Sequence, residues 1–317
     1  MRASALVTTY NHSRFIAESI ESLLAQESVI PEIIVVDDGS SDDTVSKARS
    51  FERFGVKVIS KPNTGVSHSL NLAIRQSIGD VLILQSGDDV SSADRIDRQL
   101  DLFASSNNDI IFSLPRIIDE CSHLQPDVLR DSFFRKIDIS NGTDLFRSLF
   151  YDGNFLCAPS AALKRHVFTD IGGFHEGLLQ LQDFDFWLRA VARGYRFAML
   201  PQRIVDYRVH ANNLSSSRHS IRSTREFAAV LRAVPQYASS DLIARVLYGD
   251  ELGPSHSKAC VEILAALLFL RHGFYDVKQA GFEAFIQAMN DPVTCRCLEF
   301  EFNLKRSAVF DLLDSSL

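Results

Sequence analysis

Three pairs or runs of carboxylates, each placed where an apolar segment ends or a helix begins, could do chemistry in this chain. In VVDDGSSDDT, Val35 to Thr44, Asp37 and Asp38 close an apolar run that then turns through Gly39. Such groups either accept hydrogen bonds from a base or ribose, or solvate an ordinary strand-end turn. In QSGDDV, Gln85 to Val90, Asp88 and Asp89 follow a glycine, a pairing that suits a hard cation such as Mg²⁺ or Mn²⁺ but also occurs in turns that hold none. In LQDFDFWLR, Leu181 to Arg189, Asp183 stands where a helix starts. It either caps that helix, an effect of about 1 kcal/mol, or acts as a general base toward a hydroxyl. His210, in YRVHANNLS, is open to a structural role, to metal ligation or to a phosphate contact.

These groups need elements to position them. From Ser4 to Leu114 short apolar runs alternate with amphipathic segments, which predicts β and α elements in succession. The strands are read at Ser4–Thr9, Glu32–Asp37, Val56–Ser60, Val81–Leu84 and Asp109–Leu114, apolar enough to be covered on both faces. Between them Ile16, Ile20, Leu23 and Leu24 share a helical face, as do Val45, Ala48 and Phe51, then Leu70, Ala73 and Ile74, then Ile96, Leu100 and Phe103. Ser41 and Ser67 are expected to cap the second and third of these helices. An open, doubly wound sheet places ligands beyond the carboxyl ends of its strands, which puts Thr8–Asn11, Asp37–Ser40, Lys61–Gly65 and Ser86–Asp89 on one rim. Residues 156–210 continue the same unit, with a helix from about Asp183 to Arg193. After the joint Leu214–Ser220 the pattern is helical only, at 221–234, 239–249, 256–271, 274–289 and 302–314. The expected division is 1–215 for an α/β domain and 216–317 for a helical region.

Composition narrows the partners. A net charge of −7, from 33 Lys plus Arg against 40 Asp plus Glu, argues against a nucleic-acid backbone as ligand. The five cysteines form no CxxC pair, so neither a disulfide framework nor a structural zinc is expected. The first residues do not read as a signal peptide. The most apolar run, CVEILAALLFL from Cys260 to Leu270, is far short of the roughly 20 residues that span a bilayer. The expected location is cytoplasmic.

Taken in order, VTTYN, VVDDGSSDDT, NTGVS, SGDD, GGF, QDFDFWLR and YRVHANN resemble the motifs of family 2 glycosyltransferases over roughly residues 4–215. The resemblance implies a GT-A fold, an α/β doubly wound mixed sheet, here with a C-terminal helical appendage. It also implies inverting transfer of a sugar from a nucleotide-diphosphate sugar, most often a UDP-sugar, to a hydroxyl of a glycan or lipid-linked acceptor, as in surface polysaccharide synthesis. On the matching positions Thr8 and Tyr10 would hold the nucleoside. Asp38, with Asp37 beside it, would read the base. Asp88 and His210 would hold a divalent cation, Mn²⁺ or Mg²⁺, with Asp89 near the donor sugar and Asp183 as the catalytic base. The helical region would serve acceptor contact, peripheral docking at the inner face of a membrane, or self-association. Three positions depart from the family pattern: Ser86 replaces an acid, Gln182 a glutamate and Leu70 an arginine. They leave a rival reading, a nucleotide-binding or scaffold protein of the same fold without turnover. A nucleotidyltransferase would need a basic, glycine-rich loop after the first strand, and TTYNHS is not one.

Overall fold

Runs such as ASALVTT and EIIVVD carry little polar alternation, and they form strands whose side chains are buried on both sides of one sheet. The computed structural model describes residues 1–131, 134–214, 220–249, 260–293 and 296. Its strands are β1 (Ala3–Thr9), β2 (Glu32–Asp37), β3 (Lys57–Ser60), β4 (Val81–Ser86), β5 (Val90–Ser91), β6 (Ile110–Ser113), β7 (Arg116–Ile118), β8 (Ala162–Lys164), β9 (Phe197–Leu200) and β10 (Val205–Arg208). Seven form one sheet in the order β3-β2-β1-β4-β8-β6-β9, and three form another in the order β5-β10-β7. β8 runs antiparallel to both β4 and β6, which makes the large sheet mixed. The other pairings in it are parallel.

The five strands expected from the sequence are present within two residues at each end. The register then aligns their carboxyl ends: Thr8 lies opposite Val36 and Ser86, Thr9 opposite Asp37, and Asp37 opposite Ser60. This alignment makes the polar rim.

The crossover helices Ile16–Leu24, Thr44–Arg49, Val66–Gln76 and Arg95–Ser105 turn their apolar faces to the sheet. Ile16, Ile20, Leu23 and Ile96 join the cluster on one side, and Leu70, Ala73 and Ile74 the cluster on the other. Neither expected serine cap forms. Helix Thr44–Arg49 follows Asp43, and the Asp42 carboxylate takes the Thr44 N–H (3.0 Å) in the place foreseen for Ser41. Helix Val66–Gln76 follows Gly65 at φ 95°, and the Ser67 hydroxyl donates to the Leu178 carbonyl (2.7 Å).

The described helices beyond residue 215 are Ser220–Arg232, Ser240–Tyr248, Val261–Leu270 and Tyr275–Asn290. The candidate at 302–314 lies outside the described residues. Leu231, Leu267 and Phe285 belong to the same apolar cluster as Leu6, Phe146 and Trp187, so these helices pack into the core that covers one face of the sheet. No described helix is long and apolar enough to cross a membrane. Cys260 is disulfide-bonded, which corrects the expectation drawn from cysteine spacing. CxxC counting reports on local pairs and is blind to a bridge between distant segments.

One side chain ties the helical region to the segment that leads into Asp183. The Glu226 carboxylate accepts the backbone N–H groups of Leu179, Gln180 and Leu181, each at 2.9 Å. Next to it, the Phe227 ring stacks on Phe184, with centroids 5.5 Å apart. Glu226→Ala strips the acceptor from those N–H groups, and we expect a loss of about 1–3 kcal/mol in chemical denaturation. Faster amide exchange should be confined to 179–181, and unchanged exchange there would show that the carboxylate does not hold the segment.

Candidate active site

The turn after β4 is shaped by glycine. A Cβ at Gly87 would fall 2.6 Å from Thr9 Oγ1 and 3.2 Å from His12 Nδ1, so only glycine lets this turn close against the end of β1. That closure aims Asp88 at residues from two other loops. Its Oδ2 lies 2.9 Å from His210 Nε2, 3.4 Å from Asn213 Nδ2 and 3.8 Å from His12 Nε2, while the Ser86 hydroxyl donates to Oδ1. The ligand atoms of His12, Asp88 and His210 all lie within 4.8 Å of one another. Burial alone would raise the Asp88 pKa. The nearby His12 and the hydrogen bonds from His210 and Ser86 outweigh it and hold the carboxyl below the usual range. Burial pushes His12 the other way from an ordinary histidine, toward the neutral imidazole. An ionised carboxylate flanked by imidazoles is a donor set that fits a divalent cation. The structure thus brings Asp88 and His210 together and adds His12, which sequence reasoning missed because it sits in the TTYNHS loop with no ligand-spaced neighbour.

Asp89, expected at the donor sugar, faces inward and is 1% exposed. Its Oδ1 accepts the Arg208 N–H (2.9 Å). Burial, and then the charge of Asp88, push its pKa well above the ordinary value. Arg208, itself buried, donates from Nε to the Asp88 carbonyl (2.7 Å), from Nη1 to the Asp119 carbonyl (2.9 Å) and from Nη2 to Glu18 (2.6 Å). The pairing of β10 with β5 and β7 is what delivers Arg208 and, two residues later, His210 to this turn.

At the end of β1, where the nucleoside was expected, Thr8 is half-buried and Tyr10 is 45% exposed. Asp37 is spent on its own turn, accepting from the N–H groups of Gly39 (3.1 Å) and Ser40 (3.0 Å) and from the Ser40 hydroxyl. Asp38 accepts from Thr64 N–H and Gly65 N–H, both at 2.9 Å, and pairs with Lys61, so it fastens the loop after β3 to the end of β2. Asn11, in the left-handed region at φ 55°, binds the same edge: its N–H donates to Ser40 Oγ (2.8 Å) and its Oδ1 accepts the Ser41 N–H (2.9 Å). A shallow polar cleft beside these residues is lined by Asn11, Arg14, Asp42, Glu120, His210 and Asn212.

Asp183 lies in the first turn of helix Gln182–Ala192, which follows Leu181, so it is not the cap. Its Oδ2 accepts from Asn154 Nδ2 (2.7 Å) and its Oδ1 from the Phe184 N–H (2.9 Å). Burial pushes its pKa up to about 6 against these donors and its own backbone N–H, although the residue keeps some contact with solvent. Of the departing positions, Leu70 is in the core. The adjacent Asn71 ties helix Val66–Gln76 to the GGF turn through Phe174 O (2.8 Å) and Phe174 N (3.0 Å).

The family model described as glycosyl transferase family 2 matches residues 4–172, more than half of the chain. Among curated relatives, the uncharacterized glycosyltransferase RP339 of Rickettsia prowazekii is 33% identical over 192 residues, 59% of this chain and 57% of that protein. The uncharacterized glycosyltransferase alr2836 of Nostoc sp. is 25% identical over 272 residues, 81% of this chain and 80% of the relative. The match therefore spans less than two thirds of RP339. Among solved structures, S. aureus TarS 1–349 in complex with UDP-GlcNAc has a TM-score of 0.63 at 19% identity, covering 100% of this chain and 87% of TarS. The mannosyltransferase PcManGT of Pyrobaculum calidifontis, in complex with GDP-Man and Mn²⁺, has a TM-score of 0.56 at 15% identity, covering 99% and 84%. These likenesses show the shared GT-A fold.

The raised Asp183 pKa has a sign that can be measured. Its contribution to stability is full below the unfolded value of about 4 and is lost as pH rises through about 6, because the fold favours the protonated form. Asp183→Asn cannot ionise, so its stability relative to the native chain should grow between these pH values. Asn154→Ala removes a donor to the charged form and should move the Asp183 carboxyl titration, followed by carbon NMR, to higher pH. A shift to lower pH would contradict the arrangement.

Proposed function

The chain belongs to glycosyl transferase family 2, and from that premise we propose that it moves a sugar from a nucleotide-diphosphate sugar to an acceptor hydroxyl, with inversion at the anomeric carbon. The observation that carries this reading is the contact between Asp88 and His210, which joins two rim loops separated by 122 residues into one cation-fitting group. The donor is proposed to be a UDP-sugar, in line with the UDP and UDP-GlcNAc complexes of TarS.

The nucleoside would lie against Thr8 and the exposed Tyr10, over the floor that Asp37 and Asp38 build with the loop after β3. Asp88 and His210 would hold Mn²⁺ or Mg²⁺. When bound, such a cation offsets the negative charge that grows on the departing diphosphate. Asp89 would act from beneath, through the shape of the Asp88 turn at the donor-sugar side. Asp183 would take the proton from the acceptor hydroxyl as its oxygen attacks the anomeric carbon from the face opposite the leaving group. A pKa near 6 suits that task, since the base is largely ionised at neutral pH yet still basic enough to accept a proton. One displacement gives inversion.

We assign catalysis to residues 1–215, with 216–317 a helical region that braces the acceptor side. A glycan or lipid-linked acceptor, use in surface polysaccharide synthesis, and work at the inner face of a membrane complete the proposal.

Thermal melts of the full chain with UDP, GDP, dTDP, CMP or ATP, each with and without Mn²⁺, test the donor class, since a ligand of the native state raises stability by mass action. UDP with Mn²⁺ should give the largest rise, and Asp88→Ala should lose it. With a UDP-sugar and acceptor, kcat/KM should fall on the acid side below about pH 6. Asp183→Asn should cut turnover by about 10²–10⁴-fold while UDP still binds. Tight UDP-sugar binding by the native chain without turnover on any acceptor would favour the scaffold reading instead.

A further inference from the structure

The cation site differs in chemistry from the one that the sequence motif suggests. Where the family pattern has a first acid, this chain has Ser86, whose hydroxyl donates to Asp88 and brings no charge. The gap is met from the other side by His12. Its Nε2 approaches the same Asp88 oxygen that meets His210, and the two imidazoles stand nearly perpendicular, with centroids 5.9 Å apart. His12 Nδ1 is buried without a hydrogen-bond partner, so the ring is not held there by a competing polar contact. A Cβ at Gly87 would lie 3.2 Å from His12 Nδ1, so the Asp88 turn passes close beside this ring.

We infer that His12 is the third protein ligand of the cation site, and that the resulting set of two imidazole nitrogens and one carboxylate oxygen disfavours Mg²⁺ relative to first-row transition ions. Mg²⁺ prefers oxygen ligands in near-ideal octahedral geometry. Imidazole nitrogen favours transition ions, with affinity rising from Mn²⁺ to Co²⁺. Three protein ligands leave coordination positions for diphosphate oxygens. The inference rests on the proposed function only for the presence of a cation at Asp88.

The test is a titration of the nucleotide-free full chain with Co²⁺, followed by its visible absorption, with Mn²⁺ and Mg²⁺ as competitors. Mn²⁺ should displace Co²⁺ at a much smaller excess than Mg²⁺ does. His12→Asn should weaken Co²⁺ binding by on the order of tenfold or more, and should narrow the gap between Mn²⁺ and Mg²⁺. His12→Gln serves as a second variant, and melts in EDTA verify that each is folded. Unchanged Co²⁺ affinity in folded His12 variants, with binding lost in Asp88→Asn, would overturn the assignment of His12 alone. Loss of UDP affinity with Co²⁺ binding intact would likewise overturn it and make His12 a phosphate contact. Unchanged Co²⁺ binding in Asp88→Asn as well would overturn the cation site itself.

Discussion

Two adjacent carboxylates in the interior are the constraint on which the site depends. Charged groups side by side and out of water are expensive unless each is compensated, and Asp88 and Asp89 are compensated in different ways. Asp88 gathers imidazoles, a hydroxyl and an amide and stays ionised. Asp89 has one backbone donor and is driven toward its neutral form. Both solutions need the chain to return from far away. β10 does this, because its Arg208 clamps the turn while the Phe15 ring packs between Arg208 and His210, 4.7 Å from the guanidinium carbon and 5.1 Å from the imidazole centroid. The small sheet β5-β10-β7 therefore exists, in physical terms, to hold one turn of the large sheet.

The rim and the crossover helices were legible because they follow from local periodicity. Apolar runs of EIIVVD type admit few conformations other than a doubly covered strand, and the sheet rule then places Thr8, Asp38 and Asp88 on one edge without further information. β5, β7, β8, β9 and β10, at two to four residues each, are too short to show a period. Their existence is decided by pairing across the chain, as in Asp206 with Arg116. The caps failed for a related reason. Ser41 stands two residues before the cap position Asp43, and Ser67 lies inside the helix that follows Gly65, where its hydroxyl donates to Leu178. At Ser67 a tertiary partner overrode a local preference worth about 1 kcal/mol.

The residues that the sequence did not mark are those that act through distance. His12, Asn154 and Glu226 carry no motif of their own, Arg208 stands in YRVHANN without a role read for it, and each gains its role only when folding supplies a partner. Asn154 meets Asp183 across 29 positions, and Arg208 meets Asp88 across 120. Glu226 shows that a change of composition does not mark a break in contacts. The pattern turns wholly helical near residue 215, yet the segment leading into Asp183 is held by a carboxylate from beyond it.

Asp88 and Asp183 show how one residue type is tuned in opposite directions by the donors around it. A ligand to a cation should be anionic at any working pH, and Asp88 is surrounded by groups that favour its charged form. A base must give up that security, because a carboxylate stabilised as well as Asp88 would be too weak to take a proton from a hydroxyl. Asp183 has the Asn154 amide and the backbone N–H groups of Phe184 and its own residue against the cost of burial, and burial wins. Adding a donor beside Asp183 would stabilise its charge and weaken it in the proposed role of base, whereas removing donors from Asp88 would bring a proton into competition with the proposed cation. The two environments are therefore not interchangeable, even though each surrounds the same kind of side chain.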